Sequence, residues 1–568
     1  IINEKLFFFG SFERLIDRVP AALQTNTVLT ANARQGLFTY TANANDAVNG
    51  VTAGQVVTVN LLNPVLGTGI TSINQTVLNR FISPLPTGNS TQAGDQRNTT
   101  GFSVVQNNNA GQDNYAARID YLLNARNTIS GTFRYVTQDV NRADIDNSFN
   151  VVPRVTQPSN NPLLSLGWTS SFSNNFSNDL RGGFFFSDPI FLRSDTNPAN
   201  FVTPVITNPA TGATFITNPD VVFQNQGRDT KTYNVQDNAT LILGSHSLRF
   251  GGQFQRVLID TFNDAGIVPT YNLGTNANTP QFSTAQFMNT TLFPGGVPQA
   301  QRAGANALLA LYGGIVGTGS SLFNVESQFS GFIPGATQRR LFDYSAIGTY
   351  ISDSWRITPN LTVNFGVRYD YYTPLRTPGG LFLEPVITDE NNPVASLLDP
   401  NGTYQFIGGN SRVPNTFYRP DTNNFAPNVS AAFSPTFEGG IAKFLLGENP
   451  VFRGGYRISY INDELVRAPD NALGGNQGLA LTSNAFNPNT GTTALNARID
   501  SLPAIPTPAF VAERTFALNN QAAGLFGTVF AVDPNLQSPL IHEYSFGYQR
   551  DVGFDTIVEF RYVGTQSS

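Results

Sequence analysis

The feature that most constrains the fold is a strictly alternating segment from Leu361 to Tyr371. Apolar or aromatic residues occupy its odd-numbered positions, and Thr, Asn, Gly, Arg and Asp occupy the even-numbered ones. Successive side chains of a strand point to opposite faces, so this strand would have one apolar face and one polar face. It is long enough to cross a bilayer as a tilted strand of about 9–11 residues. With the preceding Tyr344–Trp355 it predicts a transmembrane β-hairpin.

Comparable alternation recurs along the chain and predicts one leading strand and six hairpins. The leading strand is Lys5–Leu15, and one hairpin is the segment just described. The arms of the other five hairpins are Asn114–Leu123 and Thr128–Asp139, Leu164–Phe172 and Phe176–Ser187, Lys231–Leu243 and His246–Phe262, Asn424–Pro435 and Val451–Ile461, and Leu540–Arg550 and Phe554–Val563. The prediction is therefore thirteen antiparallel strands.

The connections between these strands alternate in length. Turns within hairpins are short, apart from a moderate one near 437–450, whereas connections between hairpins are long and rich in Asn, Pro, Gly and Thr. The polar region from Leu15 to Gln112 also reads as a loop with minor strands. Outer-membrane barrels have short periplasmic turns and long extracellular loops. We therefore expect the long connections to be extracellular and without regular structure.

Composition agrees with a membrane barrel. Only 13% of the residues are charged, against about 25% in ordinary soluble domains, and aromatic residues reach 12%, which suits interfacial girdles. The net charge of −6 gives no basic surface for nucleic acid. There are no cysteines and two histidines, so we expect no metal site and no cofactor. No apolar run reaches the length of a transmembrane helix; Ala307–Val316 comes nearest but is too short.

Several segments resemble TonB-dependent outer-membrane transporters of the Oar-like kind, which are common in Acidobacteria and related bacteria. The similar segments follow the family's order along the whole chain: Glu4–Glu13, Ala117–Tyr121, His246–Gly252, Gly348–Trp355, Gly366–Tyr369, Asn424–Pro427, Arg453–Tyr456 and Glu559–Gly564. Each alone is a weak strand pattern, and the set in this order is specific.

The resemblance implies an all-β fold, a transmembrane antiparallel β-barrel in the cell outer membrane. Residues 1–568 would be a partial barrel domain, with about 13 strands of roughly 22. The odd strand count and the absence of a signal peptide at Ile1 lead us to expect further sequence at both ends. The resemblance implies that a plug and a carboxypeptidase-regulatory-like domain precede the barrel. The expected partners are outer-membrane lipid, a TonB complex acting through the plug region, and an unidentified extracellular ligand (an oligosaccharide, peptide or chelate).

The polar faces of the predicted strands carry charged residues that would face the lumen. They are Arg118, Asp120, Arg134, Arg249, Arg368, Asp370, Arg453, Arg457, Glu559 and Arg561. One hypothesis is that they contact a plug or an anionic ligand, because Arg binds carboxylate and phosphate in a bidentate manner. The other is that they form ion-pair ladders between neighbouring strands. We expect tyrosines such as Tyr121, Tyr350 and Tyr369 to anchor the barrel at the membrane interface.

No arrangement of residues indicates catalysis, and we predict that the chain is not an enzyme. His246 and His542 lie at strand starts, where a structural role is expected. Asp144-Ile145-Asp146-Asn147 lacks the glycine and distal glutamate of a calcium loop, so solvated acids are expected there. The alternatives to energy-coupled uptake are a passive porin and a surface adhesin without transport activity. A hydrolase on a β-propeller would need a blade repeat and paired carboxylates, and neither is found.

Overall fold

The dominant element is one antiparallel sheet of fourteen strands. The computed structural model describes residues 4–567 apart from 147, 196–197, 209–212, 277, 462–471, 486–496, 512–513, 523–527 and 554. The sheet strands are β1 (Leu6–Pro20), β2 (Asn107–Asn124), β3 (Asn127–Asn141), β4 (Val155–Ser173), β5 (Phe176–Ser187), β6 (Ile190–Arg193), β7 (Gln226–Leu243), β8 (His246–Asn263), β9 (Gln338–Thr358), β10 (Leu361–Tyr372), β11 (Phe425–Phe433), β12 (Val451–Tyr460), β13 (Leu540–Gly553) and β14 (Thr556–Ser567).

The predicted strands and hairpins are confirmed. Strand neighbours follow chain order, and β1 and β14 form the two edges of the sheet. The one additional strand is β6, four residues that continue the pairing of β4 and β7 beyond the end of β5. The predicted start of the last strand at Phe554 lies outside the described residues. Several strands are longer than predicted; β9 has 21 residues and extends well beyond the length needed to cross a bilayer.

Towards the short turns, the two faces of the sheet differ in polarity; nearer the long connections, the ion pairs Arg14–Asp113 and Arg256–Asp343 lie on the same side as the apolar rows. Directly paired residues of neighbouring strands point to the same side, so the pairings can be followed across the sheet. One such row contains Phe8, Ile119, Gly131, Leu166, Gly182, Val235, Phe254, Ile347 and Tyr371. We call the side of this row the apolar face and the opposite side the polar face.

Arg368 and Asp370 lie on the polar face, as the alternation of β10 predicts. Tyr350 was predicted as an interfacial anchor, and that prediction is wrong. It pairs with Arg368, so it lies on the polar face, and its hydroxyl donates to Asn238 Oδ1 at 2.8 Å. In both strands of this hairpin the even-numbered residues lie on the polar face, so the side of Tyr350 follows from the register of β9 with β10 and not from its aromatic character.

The long connections leave one end of the sheet, and the short turns lie at the other. The expectation that the long connections lack regular structure is wrong. They contain the helices α1 (Gln75–Val77), α2 (Thr284–Met288), α3 (Gln299–Tyr312), α4 (Pro393–Leu397) and α6 (Phe516–Ala522), whereas α5 (Gly440–Leu446) lies in the moderate turn of the β11–β12 hairpin. Short 3₁₀ and π segments add Ala33–Gln35, Pro64–Leu66 and Leu78–Ile82.

Short strands complete these connections. They are Gln24–Leu29, Leu37–Thr41, Val56–Asn60, Thr99–Val104, Phe201–Thr203, Ile206–Asn208, Ala213–Thr214, Thr270–Leu273, Val316–Val325, Phe332–Ile333, Leu383–Pro385, Tyr404–Phe406 and Ala480–Asn484. No helix within the described ranges is long and apolar enough to cross a membrane.

The connections share a hydrophobic core, and we call this assembly the cap. Its main cluster joins residues between 28 and 85, between 202 and 316, and between 485 and 499. At its centre is α3, whose Leu308, Leu309 and Leu311 are fully buried. The hydroxyl of Tyr312 donates to the Ala33 carbonyl at 2.5 Å. The apolar residues of each connection are scattered along the sequence, and they converge only in three dimensions.

Candidate functional site

All ten charged residues predicted to face the lumen lie on the polar face. For example, Arg249 pairs with Ser352, Ser352 with Gly366, Gly366 with Asn428, and Asn428 with Arg457. The same tracing places the other candidates, Arg118, Asp120, Arg134, Arg368, Asp370, Arg453, Glu559 and Arg561, on this face. The structure thus brings the predicted residues to one side of the sheet, spread along many strands.

Two of the predicted arginines bind an aspartate two residues further along the same strand. Arg118 contacts Asp120 at 2.7 Å, and Arg368 contacts Asp370 at 2.7 Å. The environments differ, because the Asp370 side chain is only 6% exposed, whereas that of Asp120 is 29% exposed. Gly348 lies directly opposite Asp370, and a Cβ there would overlap the Arg368 guanidinium. The absence of a side chain at Gly348 leaves the space that the buried pair occupies.

A cross-strand ion pair joins β12 and β13. Arg457 donates through Nε to Glu543, which lies directly opposite it on the neighbouring strand. The ladder hypothesis predicts contacts of this type. Glu543 was not among the predicted residues, because its role depends on the register between strands separated by 79 residues of sequence connection, 461–539. Arg181 and Asp179 form a further pair on the polar face at 2.8 Å, also missed.

Four predicted arginines make no ion pair within the described residues: Arg134, Arg249, Arg453 and Arg561. Arg453 and Arg561 flank Gly547, each directly opposite it on one of its neighbouring strands. Arg134 instead donates to Asn114 Oδ1 at 2.9 Å. The polar face therefore combines neutralised pairs with cations that remain available to a further partner.

A cavity of about 810 Å³ lies against the polar face of β10 to β14. Its lining contains carboxylates, guanidinium groups and hydroxyls from the polar face; the residues that carry them include Arg368, Asp370, Tyr372, Ser430, Arg457, Ser459, Glu543, Ser545 and Arg561. Such a lining can donate and accept hydrogen bonds and can oppose charges of either sign. It suits a polar ligand rather than an apolar one.

The two histidines make structural contacts on the apolar face. His246 Nδ1 lies 2.6 Å from Asp353 Oδ2, and its ring stacks on Trp355 with centroids 5.1 Å apart. His542 Nδ1 lies 2.7 Å from the Tyr456 hydroxyl. These contacts fit the structural role predicted for both residues. Asp353 is a buried acid in an otherwise apolar row, and His246 is its side-chain partner.

The acidic segment near 144–147 is only partly solvated. Asp144 is exposed and pairs with Arg142, as predicted for a surface acid. Asp146 is fully buried and accepts from the backbone N–H groups of Ser148 and Arg154, so its predicted solvation is wrong. Asn147 lies outside the described residues. Among the residues that the structure describes, no cluster of three or more potential metal ligands occurs.

One buried carboxylate in the cap was not anticipated. Glu384 is 3% exposed, and its Oε1 accepts from the Asn410 N–H at 2.9 Å and from Gln405 Nε2 at 3.2 Å. Burial raises the pKa of Glu384 to about 7, although these hydrogen bonds act to lower it. The sequence gives little indication that Glu384 is buried, because Leu383–Pro385 becomes a strand only by pairing with Tyr404–Phe406.

The chain is similar, at low sequence identity, to several solved transporter structures. The outer membrane transporter YddB from Escherichia coli is 11% identical, with 98% of this chain and 46% of that chain covered and a TM-score of 0.39. The copper transporter OprC is 9% identical, with 82% and 46% covered and a TM-score of 0.35. The ferric citrate transporter FecA is 9% identical, with 83% and 50% covered and a TM-score of 0.31.

The chain thus spans about half the length of these solved structures. No curated protein sequence matches it significantly. The family model described as "Outer membrane beta barrel domain" matches residues 1–568, the whole of the chain. That match agrees with the antiparallel sheet, the chain-order pairing and the two faces of opposite polarity. The chain therefore belongs to the outer membrane beta barrel family, and its location is the outer membrane.

Proposed function

We propose that the chain forms the wall and cap of an energy-coupled outer-membrane transporter of the TonB-dependent, Oar-like kind. In this proposal the polar face lines an aqueous lumen, and its ten charged candidates face that lumen. A plug region elsewhere in the protein connects the lumen to an inner-membrane TonB complex. The barrel itself carries out no covalent chemistry.

The observation that carries this proposal is that arginines without ion-pair partners among the described residues lie on the polar face, opposite the apolar rows. An unpaired charge in contact with hydrocarbon costs about 2–4 kcal/mol near the bilayer midplane. Arg249, Arg453 and Arg561, which lack ion-pair partners in the described part of the chain, are therefore stable only where water or a polar partner reaches them. A hydrated interior supports transport over a purely adhesive surface role.

The cap distinguishes active uptake from passive diffusion. A general porin keeps an open aqueous channel. Here the connections at one end of the sheet build a folded body around α3 with a shared hydrophobic core. Such a body suits selective capture of a ligand better than free passage. The cavity beside β10 to β14 is a candidate for contact with that ligand, and its mixed charges support an oligosaccharide, a peptide or a chelate.

Electrical conductance of the full-length protein in planar bilayers tests active against passive transport, with potassium chloride as the probe. A plugged transporter conducts no steady current, and it conducts only after urea releases the plug. A steady current from the untreated protein would instead identify a passive porin. Binding of the purified TonB periplasmic domain to the same protein is the second measurement, and failure to bind would remove the energy-coupling part of the proposal.

A further inference from the structure

The moderate turn of the β11–β12 hairpin carries an exposed apolar helix, α5. The other hairpin turns of the sheet are short, so this helix is an addition at the turn end. Three of its side chains are largely exposed: Ile441 is 78%, Phe444 80% and Leu445 59% exposed. Exposed apolar residues in such density usually mark a surface that another molecule covers.

Two hydrogen bonds determine the side of the sheet on which α5 lies. The hydroxyl of Tyr548 donates to the Leu446 carbonyl at 2.8 Å, and Arg550 Nη1 donates to the Leu445 carbonyl at 2.6 Å. Tyr548 lies on the apolar face of β13, and Arg550, two residues along, shares that side. The C-terminal end of α5 is therefore attached to the apolar face of the sheet.

The attachment point continues a row of aromatic residues. Phe433 pairs with Phe452, Phe452 with Tyr548, and Tyr548 with Phe560, all on the apolar face. The Phe452 and Tyr548 rings lie 5.3 Å apart. Aromatic girdles of this kind mark the membrane–water interface of outer-membrane barrels. The short-turn end of such a barrel is periplasmic, so α5 lies where the lipid-facing wall meets the periplasmic leaflet.

We propose that α5 is a lipid anchor, a short interfacial helix that inserts Ile441, Phe444 and Leu445 into the periplasmic phospholipid leaflet. Apolar side chains on a helix at the bilayer surface gain free energy by leaving water. The one charge on α5 itself, Lys443, binds Glu448 at 2.9 Å, and Glu438, two residues before the helix, is exposed to water. We expect the bilayer, at the boundary of its acyl chains, to cover the exposed side chains of α5, because they are continuous with the apolar face of the sheet.

Spin-label accessibility tests the lipid anchor in the full-length protein. The chain has no cysteine, so Phe444→Cys introduces a unique label site into it; any cysteine elsewhere in the protein is first replaced. The matched control is Leu398→Cys, a site directly after α4 in the cap that is 76% exposed. Both proteins are reconstituted into phosphatidylethanolamine–phosphatidylglycerol vesicles, and collision rates with oxygen and with a water-soluble nickel chelate are measured.

The proposal predicts that oxygen reaches the label at 444 at least about threefold more effectively, relative to the nickel chelate, than the label at 398. Equal access of the nickel chelate at both sites would show that α5 stands in water and would overturn the proposal. A label at 444 that neither reagent reaches would show burial against protein, such as a second copy, and would overturn it equally.

Discussion

At the residue scale, the two Arg–Asp pairs on the polar face share chemistry but not environment. Both join residues two apart on one strand, with the same contact distance of 2.7 Å. Asp370 is buried beneath its arginine, whereas both partners of the Arg118–Asp120 pair are open to solvent. Exposed ion pairs contribute about 0–1 kcal/mol, and removal of one partner of a buried pair costs about 3–5 kcal/mol.

We therefore predict that Arg368→Ala lowers the free energy of unfolding by about 3 kcal/mol, because Asp370 would keep a buried charge without a cation. Arg118→Ala is the matched control, and we expect it to cost less than about 1 kcal/mol. Urea unfolding in lipid vesicles measures both. Equal losses for the two variants would show that the burial of Asp370 has no energetic consequence.

Because Glu384 is buried, we predict that the stability of the cap depends on pH. Its folded-state pKa of about 7 lies above its ordinary value of 4.5. The folded state therefore holds the proton more tightly, and its contribution to stability is complete below pH 4.5 and is lost as the pH rises through 7. The two pKa values limit this contribution to at most about 3 kcal/mol.

Hydrogen exchange of the strands Leu383–Pro385 and Tyr404–Phe406 measures this effect. After correction for intrinsic rates, we expect protection to fall between pH 5 and pH 8 by up to about 100-fold. Glu384→Gln should keep the strands protected at both pH values, because the amide is neutral throughout. If the wild-type protein and the Gln variant show the same pH dependence, then another group is responsible.

At the element scale, strand positions were predictable and pairings between distant strands were not. The alternation of β10 reflects a physical difference between its two sides, so it is visible in the sequence alone. The Arg457–Glu543 contact depends instead on how β12 and β13 align after a long connection. Tyr350 was misplaced for the same reason: the face of the sheet on which it lies depends on its pairing with Arg368 and not on its aromatic character.

The cap was the least predictable element. Ala307–Val316 appeared in the sequence only as an apolar run too short for a membrane helix, yet its first half belongs to α3 at the centre of the cap core. Some partners of α3, such as Phe282, are close in sequence, but others are more than 200 residues away, such as Ala33, whose carbonyl Tyr312 contacts. The core is assembled from several connections, so the apolar residues of any one connection show no regular period. The long connections were therefore predicted to lack regular structure.

The central position of α3 predicts that Leu309→Ala destabilises the cap by about 2–4 kcal/mol, because it leaves a cavity among fully buried side chains. Hydrogen exchange should rise within Gln24–Leu29 and Leu37–Thr41, while the strands β7 to β10 stay protected. The control Leu398→Ala removes an exposed side chain and should change exchange little. Loss of protection throughout the sheet would contradict a cap that has its own core.

At the scale of the whole molecule, polarity sorts the chain into three environments. Towards the short turns, the apolar face carries rows of aromatic and branched residues and the polar face carries charges and hydroxyls, and the cap encloses its own core. Membership in the outer membrane beta barrel family explains the first environment, because that face meets lipid. We assign the second environment, the polar face, to an aqueous lumen.

Cysteine scanning along β10 (Leu361–Tyr372) tests that claim most directly. Single substitutions at successive positions are reacted, in the full-length protein in lipid vesicles, with a small water-soluble maleimide. We expect labelling with a period of two, fast at Thr362 and Asn364 and slow at Val363, Phe365 and Val367. Uniform labelling along the strand, or fast labelling at the odd-numbered positions, would contradict a sheet with one face in lipid and the other in water.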